Sequence, residues 1–148
     1  MTKKNSKAIW LLFVIIVALF FALRLISRNS AQICCYESCF FLELAQTQEE
    51  KAQGLMYRES LAENQWMLFL YDQEESYSFW MKNTLIPLDM IRLNANLEIV
   101  DIQQADPCTQ EDCPSFTPRQ KAQYVLEINQ GISETNNINI GAQCSLSL

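Results

Sequence analysis

Four side chains able to move protons or form directed hydrogen bonds fall close together in Phe79-Trp-Met-Lys-Asn-Thr-Leu-Ile-Pro-Leu-Asp-Met90. Lys82, Asn83 and Thr84 supply an ammonium, an amide and a hydroxyl straight after an aromatic run. Pro87 then breaks the strand, and Asp89 adds a carboxylate. If the break is a tight corner, these groups converge, with Arg58 and Glu127 joining from other segments. Such a set suits a small polar ligand or an extended peptide. It also admits a hydrolase with Lys82 as base, its pKa lowered by burial, and Thr84 or a bound water as nucleophile. In a third arrangement the groups satisfy one another, Asn83 and Thr84 as turn residues and Lys82 with Asp89 as an ion pair. Spacing alone leaves all three open.

The chain contains no histidine, which excludes Ser/His/Asp and Cys/His catalysis, histidine metal ligands and a histidine proton switch. Net charge is −6. Five of the 11 cations (Lys3, Lys4, Lys7, Arg24, Arg28) and none of the 17 acids lie in the first 28 residues, so the remainder carries six cations and 17 acids, or −11. A nucleic-acid partner is excluded on this balance, because little beyond the N-terminus would neutralise phosphates. No metal site and no cofactor is expected. The acidic pairs Glu74-Glu75 and Glu111-Asp112 lack the oxygen-ligand spacing of a calcium loop. Met56, Met67, Met81 and Met90 with Trp66 and Trp80 fit core positions on strands better than a ligand pocket.

The positioning elements begin with a greasy N-terminus. From Ala8 to Ile26 all residues but Arg24 are apolar, and such a helix spans about 29 Å, matching a hydrocarbon core of roughly 30 Å. The uninterrupted run Ala8–Leu23 is too long for a cleavable signal and lacks a small-x-small site after it, so an uncleaved signal anchor is expected. Lysines before the span place the N-terminus in the cytoplasm and the acidic domain outside. The expected organisation is therefore a basic tip and transmembrane helix over residues 1–28, a cysteine-bearing linker over 29–39, and an exported β-rich domain over 40–148.

Six cysteines in an exported domain read first as disulfides. Cys108 and Cys113, flanked by Pro107 and Pro114, are the local pair. Adjacent Cys34 and Cys35 would take different partners, with Cys39 and Cys144 available and the pairing left open. None of the spacings is the C-x-x-C of a redox pair.

Within the domain, Phe40–Ala45 alternates as a strand, and Thr47-Gln-Glu-Glu50 is a capping box for a helix over Gln48–Met56. Trp66–Tyr71 and Tyr77–Lys82 read as two strands of a hairpin turning at Asp72–Glu75. Leu88–Leu93 and Leu97–Gln103 read as a second hairpin around Asn94–Asn96, followed by a strand at Tyr124–Asn129, a helical turn at Ile132–Asn136 and a last strand at Ala142–Leu146. With three glycines in the chain, asparagines are expected at left-handed turn positions. The expected class is α+β, dominated by an antiparallel, curled or barrel-like sheet with one short helix near the domain start.

Gly54-Leu-Met-Tyr-Arg58, Phe79–Met90 with its Lys-Asn-Thr-x-x-Pro-Leu-Asp run, Ala105-Asp-Pro-Cys108 with Cys113-Pro114, and Tyr124-Val-Leu-Glu-Ile-Asn-Gln-Gly131 occur in an order that resembles an uncharacterised bacterial and archaeal family, domain of unknown function one hundred and ninety-two. The resemblance runs from about Phe41 to Gly141. It implies a β-rich single domain, often behind a signal or membrane segment, and brings no established activity. Its pattern falls on Gly54, Met56, Arg58, Met81, Lys82, Asn83, Thr84, Pro87, Asp89, Glu127 and Gly131; Cys34, Cys35, Cys39 and Cys144 depart from it. The expected function is a membrane-anchored extracytoplasmic domain binding a small polar ligand or peptide at the Lys82/Asn83/Thr84/Asp89 corner. A hydrolase, a structural envelope protein and a thiol-redox partner are the alternatives.

Overall fold

Alternating apolar residues, punctuated by turns, produce β1 (Gln32–Cys35), β2 (Ser38–Ala45), β3 (Gln65–Glu75), β4 (Phe79–Trp80), β5 (Leu88–Leu93), β6 (Ile99–Ala105), β7 (Ser115–Phe116), β8 (Ala122–Asn129) and β9 (Cys144–Ser147), with helices α1 (Gln48–Gln53) and α2 (Ile132–Thr135). The computed structural model describes residues 9, 10, 12–17 and 31–148. Residues 9, 10 and 12–17 are helical; the compact unit considered below is Ala31–Ser147. Most of the expected transmembrane helix lies outside the described residues, and among the described residues no helix is long and apolar enough to cross a membrane.

Seven strands form one sheet in the order β6-β5-β8-β3-β2-β1-β9. Every pairing in it is antiparallel except β2 with β3; that parallel step is bridged by α1 and its following loop, since a parallel pair needs a long crossover. The sheet curls until its two edges meet. Ile99 N–H donates to Ala142 C=O and Gly141 N–H to Ile99 C=O, while Cys144 N–H donates to Leu97 C=O. The expected α+β class with a curled, mostly antiparallel sheet is observed.

Successive residues of a strand face opposite sides, and here each side has its own core. Inside the curl pack Ile33, Cys35, Phe40, Trp66, Leu68, Ile91, Leu93, Ile99, Leu126 and Ile128. On the outer face Met67, Phe69, Leu88, Met90 and Val125 are covered by Leu55 and Leu61 from the loop after α1 and by Phe79, Met81 and Ile86 from the chain around β4. The register sets two neighbouring rows across that outer face: Glu43, Met67, Glu127, Met90, Gln103, and Ala45, Phe69, Val125, Arg92, Asp101. Burying one outer-face side chain of this size contributes about 2 kcal/mol, so the α1 loop and the β4 segment are fixed by the apolar residues they cover.

Several local expectations are corrected. Residues 29–39 do not form a linker throughout, for β1 and the start of β2 lie within them, pairing with each other and with β9; four residues dominated by cysteines are too short to show their alternation. Trp66–Tyr71 and Tyr77–Lys82 do not make a hairpin. Both edges of β3 are taken, by β2 and β8, so β3 runs on through Asp72–Glu75 and β4 pairs with β7 in a separate two-stranded sheet. The helix expected over Gln48–Met56 ends at Gln53, with its capping box formed as read: Glu50 N–H donates to the Thr47 hydroxyl, and the Glu50 carboxylate accepts from Thr47 N–H. Left-handed turns fall on Tyr36, Tyr57 and Leu97 as well as on Asn83 and Asn137.

The cysteine framework follows from register. Cys34 lies directly opposite Cys39, and Cys35 directly opposite Cys144; both couples are bonded, as are Cys108 and Cys113. Adjacent Cys34 and Cys35 face opposite sides of β1, which is why they take different partners. No cysteine is free.

Candidate functional site

The expected polar corner is divided by the sheet itself. Asp89 and Glu127 sit on adjacent strands, but Asp89 pairs with Ile128 and Glu127 with Met90, so their side chains leave opposite faces. Asp89 is buried on the inner side, where one carboxylate oxygen accepts from Gly131 N–H (3.0 Å), Ser133 N–H (3.0 Å) and Ser133 Oγ–H (2.6 Å). It therefore anchors the first turn of α2 against the curl, since a carboxylate satisfies the unpaired N–H groups of a helix start.

Lys82 is engaged elsewhere too. Its ammonium donates to the carbonyls of Gln110 (2.6 Å) and Glu111 (3.2 Å), inside the loop closed by Cys108–Cys113. It thus ties down that loop and pairs with neither Asp89 nor Thr84. Asn83 takes a left-handed conformation (φ 58°) and its amide donates to the Tyr57 hydroxyl at 2.8 Å. Arg58 makes a two-pronged ion pair with Glu43, at 2.7 and 2.5 Å, half-exposed at the margin of the outer face. The hydrogen bonds from Arg58 hold the Glu43 carboxyl below its ordinary range. The base and nucleophile arrangement of Lys82 with Thr84 is not assembled.

Two of the residues singled out by the sequence do meet, Glu127 and Thr84. Both line a small cleft on the outer face, together with Lys51, Ala52, Gln53, Gly54, Leu55, Met56, Phe69, Phe79 and Trp80. Glu127 forms the floor and is only 4% exposed. Burial pushes its carboxyl up to about 8, with the Arg92 guanidinium pulling weakly the other way. No hydrogen bond to another described residue contributes to that rise, so the carboxyl meets the cleft unpartnered. The wall above it is Gly54, where φ is +47° and a Cβ would come within 3.2 Å of the Phe69 ring and 3.9 Å of Glu127 Oε2; a side chain there would be strained and would narrow the cleft. The cleft's volume is about 30 Å³. At its mouth Trp80 is 55% exposed.

Arg92 and Asp101 escaped the sequence reading. They pair directly across β5 and β6 and both are fully buried. The Arg92 guanidinium lies 3.5 Å from Asp101 Oδ2, donates at 2.9 Å to Gln103 Oε1 and at 2.8 Å to the carbonyl of Phe116. Desolvation draws Arg92 below its usual value, opposed by Asp101, Glu127 and Tyr71. Mirroring about Asn94–Asn96 opposes Arg92 to Glu98; the register shift between Arg92 and Leu93 brings Asp101 opposite instead, and the sequence carried no signal for it.

The fold and site thus combine a curled β sheet with a deeply buried Glu127 carboxyl that opens onto a cleft beside the Gly54 wall. Residues 32–146 match the family model DUF192, described as Uncharacterized ACR, and the chain belongs to that family. No curated protein matches it. Among solved structures, a Sinorhizobium meliloti 1021 protein provisionally described as a transcription regulator is similar, with 29% identity and a TM-score of 0.68 over 78% of this chain and 91% of that one. A protein of unknown function from Novosphingobium aromaticivorans DSM 12444 is similar at 30% identity and a TM-score of 0.67, over 78% and 83% of the two chains.

Proposed function

We propose that this chain is a single-pass, membrane-anchored extracytoplasmic binding domain that takes a small polar group, on a ligand or an extended peptide, into the Glu127–Thr84 cleft. The observation that carries the reading is Glu127 itself. An ionisable group buried without a partner costs several kcal/mol, and one that opens onto a cleft is the usual place for a ligand to make up that deficit. The candidate site therefore moves from the Lys82/Asn83/Thr84/Asp89 corner to Thr84 and Glu127, with Asn83 bonded to Tyr57, Lys82 holding the Cys108–Cys113 loop and Asp89 serving α2.

The anchor is supported by the apolar stretch Ala8–Ile26 and by the exposure of Ile9, Trp10, Leu12, Phe13, Ile15 and Ile16, side chains better suited to lipid than to water. Three disulfides support an oxidising exterior. The regulator description of the Sinorhizobium protein does not transfer easily, since six cations against 17 acids beyond residue 28 give a surface that repels phosphates.

Two measurements test the reading. Magnetic resonance of the full chain in lipid nanodiscs follows the Trp80 indole N–H and the Glu127 carboxyl carbon while envelope-derived peptides and amino sugars are added; movement of both supports binding in the cleft, and stillness with every ligand overturns it. A protease added to intact spheroplasts should remove the domain, and survival of the domain overturns the topology.

A further inference from the structure

We infer that the group the cleft accepts is a protonated primary amine, such as a lysine side-chain tip or a chain-terminal ammonium. This rests on the binding role proposed for the cleft and names its chemistry.

Size comes first. About 30 Å³ is open to the centres of water-sized groups, ample for an ammonium, since one water needs roughly 10–15 Å³; a sugar ring exceeds it. Polarity comes second. The floor offers Glu127, the side wall Thr84 and the α1 end Gln53, a carboxylate, a hydroxyl and an amide oxygen that can accept the three donors of –NH₃⁺. One carboxylate, one hydroxyl and one amide oxygen fall short of the oxygen shell that a calcium or magnesium ion requires. Third, the Phe79 and Trp80 rings border the cleft, and a ring face attracts a cation while its apolar surface holds the alkyl stem behind it. Fourth, the excess of acids beyond residue 28 steers cations toward the domain and anions away.

The domain's own cations do not occupy the position. Lys51, on the rim, is drawn over the Tyr71 ring at 4.5 Å; Arg58 is committed to Glu43; Arg92 lies one strand and one row away, where its terminal nitrogens donate to Asp101, Gln103 and the Phe116 carbonyl and its Nε is left unpartnered. The titratable and charged groups facing Glu127 are thus Tyr71 on β3, Arg92 on β5 and Lys51 on α1. Burial lifts the Tyr71 phenol to about 12, far from neutrality, whereas it lifts the Glu127 carboxyl to about 8.

Binding then has a proton balance. At pH 7 the empty cleft holds the neutral acid, and the incoming ammonium stabilises the carboxylate, so –COOH plus RNH₃⁺ gives the –COO⁻···⁺H₃NR pair and one proton released to buffer. A neutral ligand of the same size releases none.

The test uses the full chain in nanodiscs with n-butylammonium, its neutral counterpart 1-butanol, and N-acetyl-lysine methylamide beside its Nε-acetylated form. Calorimetry in buffers of differing ionisation enthalpy reads the protons, and the Trp80 and Glu127 signals locate the contact. The inference expects both amines to bind with close to one proton released at pH 7, Glu127→Gln to weaken them at least tenfold and abolish the release, and Thr84→Val to weaken them severalfold with Glu127 intact. Butanol or the acetylated lysine binding as well as the amines, or amines binding without proton release, overturns the ammonium assignment while the cleft stays a binding site. Silence from all four probes also overturns the assignment; the cleft itself then fails only if the envelope-derived ligands leave Trp80 and Glu127 unmoved too.

Discussion

Tyr57 and Asn83 hold one another twice. The Tyr57 backbone N–H donates to the Asn83 carbonyl at 2.8 Å, and the Asn83 amide donates to the Tyr57 hydroxyl, also at 2.8 Å. Both residues are left-handed, with φ of 64° and 58°, and together they fasten the loop after α1, which carries Gly54 and Met56, to the turn that carries Thr84. Two walls of the cleft are joined by this clasp.

Substitutions at the clasp should separate its two contributions. Asn83→Ala loses the side-chain bond and places a poorly suited residue in left-handed space, together about 2 kcal/mol. Asn83→Gly loses the bond but tolerates the conformation, about 1 kcal/mol, and Tyr57→Phe loses only the hydroxyl contact, at most about 1 kcal/mol. Urea unfolding should rank the losses Asn83→Ala first, with the other two smaller and similar. Equal losses for Asn83→Ala and Asn83→Gly would show that the backbone conformation contributes nothing.

Asp89 should behave as a fold residue. Asp89→Ala strands two backbone donors and the Ser133 hydroxyl at the start of α2, and should cost about 3 kcal/mol, at the upper end for bonds to a charged acceptor. Because its side chain lies on the other face from Glu127, the variant should leave the Trp80 indole signal at its wild-type position under conditions where it is folded. A displaced Trp80 signal would contradict the separation of the two carboxylates by the sheet.

The three disulfides should contribute unequally. Cys35 and Cys144 are 109 residues apart, whereas Cys108 and Cys113 are separated by five. In the loop-entropy model, opening the long link costs about 5 kcal/mol and the short one about 2 kcal/mol. Paired alanine variants, Cys35→Ala with Cys144→Ala and Cys108→Ala with Cys113→Ala, should show that ordering in melting temperature. The short link has a further local effect: Asn83 N–H donates to the Cys108 carbonyl and Lys82 caps the same loop, so its loss should broaden the amide signals of Lys82 to Thr84.

What the sequence made legible follows from the range of the forces involved. The capping box at Thr47–Glu50, the strand at β8 and the Cys108–Cys113 link each depend on residues a few positions apart, and each was readable. The partners of β4 and β3 were not, because they are decided by which edges remain open once the sheet has formed. The same holds for the site. Lys82, Asn83, Thr84 and Asp89 are neighbours along the chain, but strand alternation and the proline break send them to four different environments. Thr84 and Glu127 are 43 positions apart and meet because the β4 segment is pinned over the outer face by Phe79 and Met81. The resemblance had already pointed to both residues, and to Gly54, without saying that they share a wall.

Glu127 should leave a signature in the pH dependence of stability even without a ligand. Its carboxyl is pushed by burial from 4.5 to about 8 in the folded chain, so between those values the folded protein holds a proton that the unfolded chain has lost. Stability then falls as pH rises through that window, and the contribution is fully present only below the unfolded value. A tenfold difference in proton affinity between the folded and unfolded chains corresponds to about 1.4 kcal/mol, so the decline from about pH 5 to about pH 8 should amount to a few kcal/mol. Glu127→Gln carries the shape of the neutral acid and has no proton to lose. Its unfolding free energy, measured in guanidinium chloride from about pH 5 to about pH 9, should lack this decline and overtake that of the wild type in the alkaline half. Parallel curves for the two proteins would place the Glu127 carboxyl in contact with water in the folded state, and the deficit on which the binding reading rests would disappear.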